Sequence, residues 1–154
     1  MSMKRRSFIK HTLVGGAVAA GSLALPQWVL GEWNKTAFEA KSIDEALNAL
    51  LGSAAMEESS AVKIKAPDIA ENGAVVPIQV DVEGLENIES IAIIAEKNPV
   101  PLVANFKCVG QGTSFVSTRI KMGKTSDVIA VVKAGGKLYS AKKEVKVTIG
   151  GCGG

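Results

Sequence analysis

The spacing of hydrophobic and polar positions changes twice along the chain. Residues Thr12 to Leu25 form an apolar run rich in Ala and Gly with no charge. From Ile43 the period is helical: Ile43, Ala46, Leu47, Leu50 and Leu51 share one face. Ser42 begins a capping box closed by Glu45, and Gly52 supplies a stop. The spacing predicts one short amphipathic helix over 43–51. Its polar face is not rich in Lys or Arg, so the helix is expected to pack on the following domain rather than on a membrane.

From Ala61 onward the period shortens to two. Runs rich in Val, Ile and Thr alternate with Gly, Pro and Asn breaks. The predicted strands are 62–65, 74–82, 90–96, 102–108, 114–122, 128–133 and 137–149. Val128, Ala130 and Val132 fall on one face, as do Val145, Val147 and Ile149. Gly135-Gly136 reads as a tight hairpin. Asn98-Pro99-Val100-Pro101 reads as a loop, because its prolines have no N–H to give to a ladder. Seven short strands without interleaved helices predict an all-β fold, an immunoglobulin-like antiparallel β-sandwich, with a closed barrel as the alternative. The division expected is an export signal over 1–31, an N-terminal segment with its helix over 32–60, the sandwich over 61–149, and a glycine-rich arm over 150–154.

The first apolar run belongs with what precedes it. Met1 to Lys10 is basic and carries no acid, and a 14-residue apolar run is too short to span a bilayer. Arg5-Arg6 followed by Ser7-Phe8-Ile9-Lys10 matches a twin-arginine signal, which exports folded proteins to the periplasm. Small residues at Ala20, Ser22 and Ala24 offer cleavage points, and processing is expected anywhere from there to about Glu32.

Removal of that segment changes the charge. Lys4, Arg5, Arg6 and Lys10 are four of the 18 basic residues, leaving 14 against 15 acidic ones. No basic stripe remains to favour nucleic acid. His11, the single histidine, is lost with the signal, which excludes a His-dependent triad and disfavours a zinc site. No later apolar stretch approaches the roughly 20 residues of a spanning helix, so no membrane partner is expected for the mature chain.

Chemistry concentrates at the C-terminus. The chain closes Gly150-Gly151-Cys152-Gly153-Gly154, one thiol among four glycines. Glycine samples backbone regions closed to other residues, so this sequence favours a tethered arm. Three residues from Ile149 to Cys152 reach about 10 Å, at ~3.3–3.6 Å per residue. The arm holds no Lys, Arg or His to lower the thiol pKa, and a free thiol is only a few per cent thiolate near neutral pH. Cys152 is therefore expected to be a handle on which other proteins act, and the chain itself not an enzyme. Cys108, in phase with Phe106 on a predicted strand, is expected to be half-buried. Two alternatives stay open: a Cys108–Cys152 bridge, and a disulfide between copies through Cys152.

The terminal Gly-Gly-Cys-Gly-Gly, the preceding Lys137–Ile149 strand, the Ser117–Gly123 segment, the Asn98–Pro101 loop, the capped helix and the twin-arginine signal together resemble the SoxY family of sulfur carriers. The resemblance implies a heterodimer with a SoxZ-like β-sandwich subunit, and hence an exposed apolar sheet face. It implies that a c-type haem enzyme, SoxXA, joins thiosulfate to Cys152 as a cysteine-S-thiosulfonate. SoxB, a di-manganese hydrolase, then releases sulfate, and SoxCD is a further transient partner. Cys152 would be the attachment site and Gly150, Gly151, Gly153 and Gly154 the arm, with no resident cofactor or metal. Cys108 departs from the single-cysteine members. Two other classes compete: a non-catalytic immunoglobulin-like periplasmic binding module with a flexible tail, and a thiol-disulfide oxidoreductase. The second is disfavoured by the lack of a Cys-x-x-Cys pair.

Overall fold

The computed structural model describes residues 34–108 and 114–149. The expected export signal over 1–31, Cys152 and the four glycines of the arm lie outside the described residues.

Two helices open the described chain. Helix α1, Lys35–Glu39, is started by Asn34, whose Oδ1 accepts from Ala37 N at 3.1 Å. The same side chain donates from Nδ2 to Ala49 O at 2.7 Å and so ties α1 to the next helix. Helix α2, Ile43–Leu51, begins at Ser42, whose Oγ accepts from Glu45 N at 3.2 Å. Asp44 and Glu45 in its first turn complement the helix dipole. It ends at Gly52, held at φ 80°, where a Cβ would be strained.

Nine strands follow: β1 Glu57–Glu58, β2 Val62–Lys65, β3 Ile69–Ala70, β4 Val76–Val82, β5 Ile88–Ala95, β6 Leu102–Lys107, β7 Phe115–Ile120, β8 Ser126–Ala134 and β9 Lys137–Val147. All seven strands expected from the alternation are present. One sheet runs β1-β9-β8-β5-β6, with β3 also pairing on β9; the other runs β2-β4-β7. The β2–β4, β4–β7, β5–β6, β5–β8 and β8–β9 ladders are antiparallel. The fold is an immunoglobulin-like β-sandwich, open rather than closed into a barrel.

Two features differ from the expectation. The two-residue strands β1 and β3 pair parallel with β9, so the larger sheet reaches back to Glu57. The larger sheet is also covered on both faces. Its inner face (Ile91, Ile93, Val128, Ala130, Val132, Val145) meets Val76, Ile78, Val80, Val116 and Ile120 of the smaller sheet. Its outer face (Ala92, Ile94, Leu102, Val131, Leu138) lies beneath Ala37, Ala46 and Leu47 of the helices. That double cover explains why β5 reads as a near-continuous apolar run instead of an alternating one.

The free apolar sheet face implied by the resemblance is therefore absent among the described residues. Helices cover one outer face. The other carries Lys63, Lys65, Gln79, Ser117 and Arg119, all exposed, and has only Phe115 as an exposed large apolar group. Lys63 pairs with Glu83 at 2.6 Å and Lys65 with Asp81 at 2.8 Å on that face. What remains unpaired in the two sheets is their edges: β6 opposite the short β1 and β3 in the larger sheet, and β2 and β7 in the smaller, each bonded on one side only. No helix among the described residues is long and apolar enough to cross a membrane.

Candidate functional site

The expected arm leaves the sandwich at the end of β9, and the structure gives a detailed account of that exit. Val145 is the last β9 residue with an antiparallel neighbour, Ser126 of β8. Beyond it a strand end would ordinarily fray. Here each following residue finds a partner. Lys146 N donates to Asp68 O at 3.0 Å, and Thr148 N to Ala70 O at 3.1 Å, both along β3. On the other side Val147 N donates to Thr125 Oγ1 at 2.9 Å. Thr148 Oγ1 donates to Glu71 O at 2.9 Å, and Ile149 O accepts from Gly73 N at 2.7 Å. Hydrogen bonding to the sandwich therefore continues past the end of β9 to Ile149, three residues before Cys152.

Gly73 passes this anchorage on. Its carbonyl accepts from Met122 N at 2.7 Å, in the β7–β8 connection, and Met122 is fully buried. That connection is pinned in turn by Asn98, whose Nδ2 donates to Lys121 O at 2.8 Å and whose Oδ1 accepts from Gly123 N at 3.0 Å. Three of the segments that carried the family resemblance, Asn98–Pro101, Ser117–Gly123 and the end of β9, thus meet at one end of the sandwich. Exposed apolar side chains flank the exit, Val75 and Ile149 among them.

Three lysines, Lys142, Lys143 and Lys146, lie near this end of β9. Lys143 is engaged structurally, with Nζ donating to Ala66 O at 2.7 Å and lying 3.0 Å from Asp68 Oδ1. Lys142 and Lys146 are exposed. Thr125, Thr148, Gly73 and Asn98 were not singled out as site residues. Their roles depend on which loops meet, and no period or motif announces that.

Cys108 follows β6, with its N–H donating to Glu89 O at 2.9 Å and its Sγ 3.9 Å from Phe106 O. It is half-buried against the sandwich core, as its phase with Phe106 predicted. Burial pushes its pKa above the usual thiol range, because desolvation penalises the thiolate. The thiol is therefore muted rather than activated. No group of three His, Cys, Asp or Glu with metal-binding geometry occurs among the described residues.

Comparison with known proteins now bears on this end of the molecule. The family described as "Sulfur oxidation protein SoxY" matches residues 47–152, so the match takes in the second half of α2, both sheets and the stretch up to Cys152. The sulfur carrier protein SoxY from Chlorobium limicola f thiosulfatophilum is 45% identical, with a TM-score of 0.63 over 70% of this chain and 97% of that one. A PKD domain of an M14-like peptidase from Thermoplasmatales archaeon SCGC AB-540-F20 is 15% identical with a TM-score of 0.39, covering 56% of this chain and 91% of that one. The PmoD soluble domain from Methylocystis sp. ATCC 49242 (Rockwell) is 12% identical with a TM-score of 0.38, covering 56% and 90%. Neither of these two is close enough to carry an argument. No curated protein sequence matches the chain.

The fold and the matches define a carrier protein of sulfur oxidation. The chain belongs to the SoxY family, whose pattern it matches from Leu47 in α2 to Cys152.

Proposed function

We propose that Cys152 is the covalent attachment point for sulfur intermediates of thiosulfate oxidation. In this reading the chain is not an enzyme but presents its cargo to partner enzymes. The observation that carries it is a family match running to Cys152, three positions beyond Ile149, whose carbonyl is held by Gly73 N.

The chemistry balances with partners supplying the redox and hydrolytic power. The thiol and thiosulfate join through a new S–S bond, losing one proton and two electrons, which a c-type haem enzyme of the SoxXA kind takes up. Water then attacks the terminal sulfone, releasing sulfate and two protons and leaving a persulfide anion on Cys152; a SoxB-like hydrolase does this. The arm holds no base of its own, so activation comes from the partner's pocket. Tethering keeps each later step local instead of dependent on free diffusion of a small anion. SoxCD is a further transient partner.

A SoxZ-like subunit forms the heterodimer. With both sheet faces polar or covered, the edge strands β6, β2 and β7 are the places where another chain can extend a sheet. Residues 1–31 direct export of the folded chain to the periplasm by the twin-arginine route. Gly150, Gly151, Gly153 and Gly154 give the thiol the freedom to enter a narrow pocket.

The test is intact-mass spectrometry after incubating the reduced protein with thiosulfate and its haem partner. The protein gains the mass of one thiosulfate, and the Cys152→Ser variant gains nothing. Retention of that gain in Cys152→Ser would end the proposal.

A further inference from the structure

We infer that the hydroxyls of Thr125 and Thr148, with the N–H of Gly73, form a clamp that fixes the pivot of the arm at Ile149 and thereby sets its reach. The inference rests on the carrier reading of Cys152.

The need for a clamp follows from the topology. β8 begins at Ser126 and pairs that residue with Val145, so Lys146 to Ile149 project past the antiparallel ladder. On one side they are met by β3, only two residues long. On the other side Val147 turns its N–H to a single group, the hydroxyl of Thr125 at 2.9 Å. Thr148 adds a side-chain bond to Glu71 O at 2.9 Å, and Gly73 N closes on Ile149 O at 2.7 Å. Gly73 is itself bonded to Met122, so the clamp is continuous with the core. Two threonine hydroxyls thus provide the side-chain share of an otherwise backbone-only anchorage.

The consequence is a length. With the pivot at Ile149, the tether to Cys152 is three residues, about 10 Å at full extension. With the clamp open and the two-residue β3 pairing released with it, the nearest residue held is Val145, on β8, and the tether becomes seven residues, about 24 Å. Effective concentration of a tethered group falls roughly as the −3/2 power of tether length, so the thiol would be diluted about 3- to 4-fold at a partner's pocket. Thr125 and Thr148 are positioning residues: they touch no cargo and act only through where the arm begins.

The experiment uses the full chain with a Thr125→Val, Thr148→Val double variant, which removes both hydroxyls at nearly constant volume. Amide order parameters are read by NMR relaxation at Lys146–Ile149, alongside the rate of thiosulfate loading by the haem partner. In the parent protein Val147, Thr148 and Ile149 should match the sheets, at about 0.85. In the double variant they should fall below about 0.6, loading should slow about 3- to 4-fold, and a Thr125→Ser, Thr148→Ser protein should restore both. Chemical shifts of the β4, β5 and β8 amides report whether the sandwich itself is intact. Three results each overturn the clamp: order already lost at Val147 in the parent, an order profile unchanged in the double variant, or lost order with an unchanged loading rate. Failure of the parent to load at Cys152 instead rejects the carrier reading, and the order profile still decides whether the clamp exists.

Discussion

Asn98 makes the sharpest test of how the arm-bearing end is built. Its side chain joins the β5–β6 loop to the β7–β8 connection through a donor bond to Lys121 O and an acceptor bond from Gly123 N, at 2.8 and 3.0 Å. Each neutral hydrogen bond contributes about 0.5–1.5 kcal/mol net. Lys121 is exposed, so water replaces part of the first bond after truncation; Gly123 is half-buried and recovers less. Asn98→Ala is therefore expected to cost about 1–2 kcal/mol, which for a domain of this size lowers Tm by roughly 3–10 °C. Asn98→Asp separates the two bonds. A carboxylate still accepts from Gly123 N but sets an oxygen against Lys121 O, so it should destabilise at least as much as alanine at neutral pH. Urea denaturation of the three proteins gives the free energies, with equal m-values showing that the two-state comparison holds. A cost below about 0.3 kcal/mol for Asn98→Ala would refute the view that this side chain holds the two loops together.

Three further outcomes follow from other parts of the molecule. Leu47→Ala, at a fully buried position between α2 and the larger sheet, should cost about 2–5 kcal/mol by urea denaturation, and a loss under 1 kcal/mol would mean the helical layer is not firmly packed. At the β8–β9 hairpin, Gly135 and Gly136 have φ 56° and 77° with open space around each Cβ position, so the cost of a side chain is backbone strain alone. Gly136→Ala should lower stability by about 1 kcal/mol and Gly135→Asn by less, since Asn tolerates this region; equal losses on thermal denaturation would contradict that. In a Cys152→Ser background, alkylation of Cys108 should reach half its maximal rate above the ordinary thiol pKa of about 8.5, because burial raises its pKa. The folded pKa is the higher one, so the associated stability is complete below the unfolded value and is lost as pH rises through the folded value. A half-maximal rate at or below pH ~8.5 by mass spectrometry would exclude the burial effect.

The strands were legible because alternation is a local property: Val76, Ile78, Val80 and Val82 announce an inner face wherever their partners lie. The capped helix was legible for a similar reason, since Ser42, Glu45 and Gly52 act within the helix itself. What sequence spacing missed depends on distant partners. Glu57–Glu58 and Ile69–Ala70 are too short to show a period, and become strands only because β9 lies beside them. Helix α1, with five residues, is held by Asn34 reaching across to Ala49. The apolar sheet face expected from family resemblance fails because α1 and α2 occupy one outer face. At the candidate site the sequence carried the thiol and its glycines, whereas the anchorage through Thr125, Thr148 and Gly73 emerges only when three loops are brought together.

Strand β9 is the last element of the chain, yet it sits inside the larger sheet, between β8 and the paired segments β1 and β3. Val128, Ala130 and Val132 therefore have no ladder partner on that side until β9 joins them. The larger sheet is thus completed at its interior by the last strand added, not at its rim. A chain shortened ahead of Lys137 would lose the centre of the larger sheet and leave β8, β1 and β3 without their common neighbour.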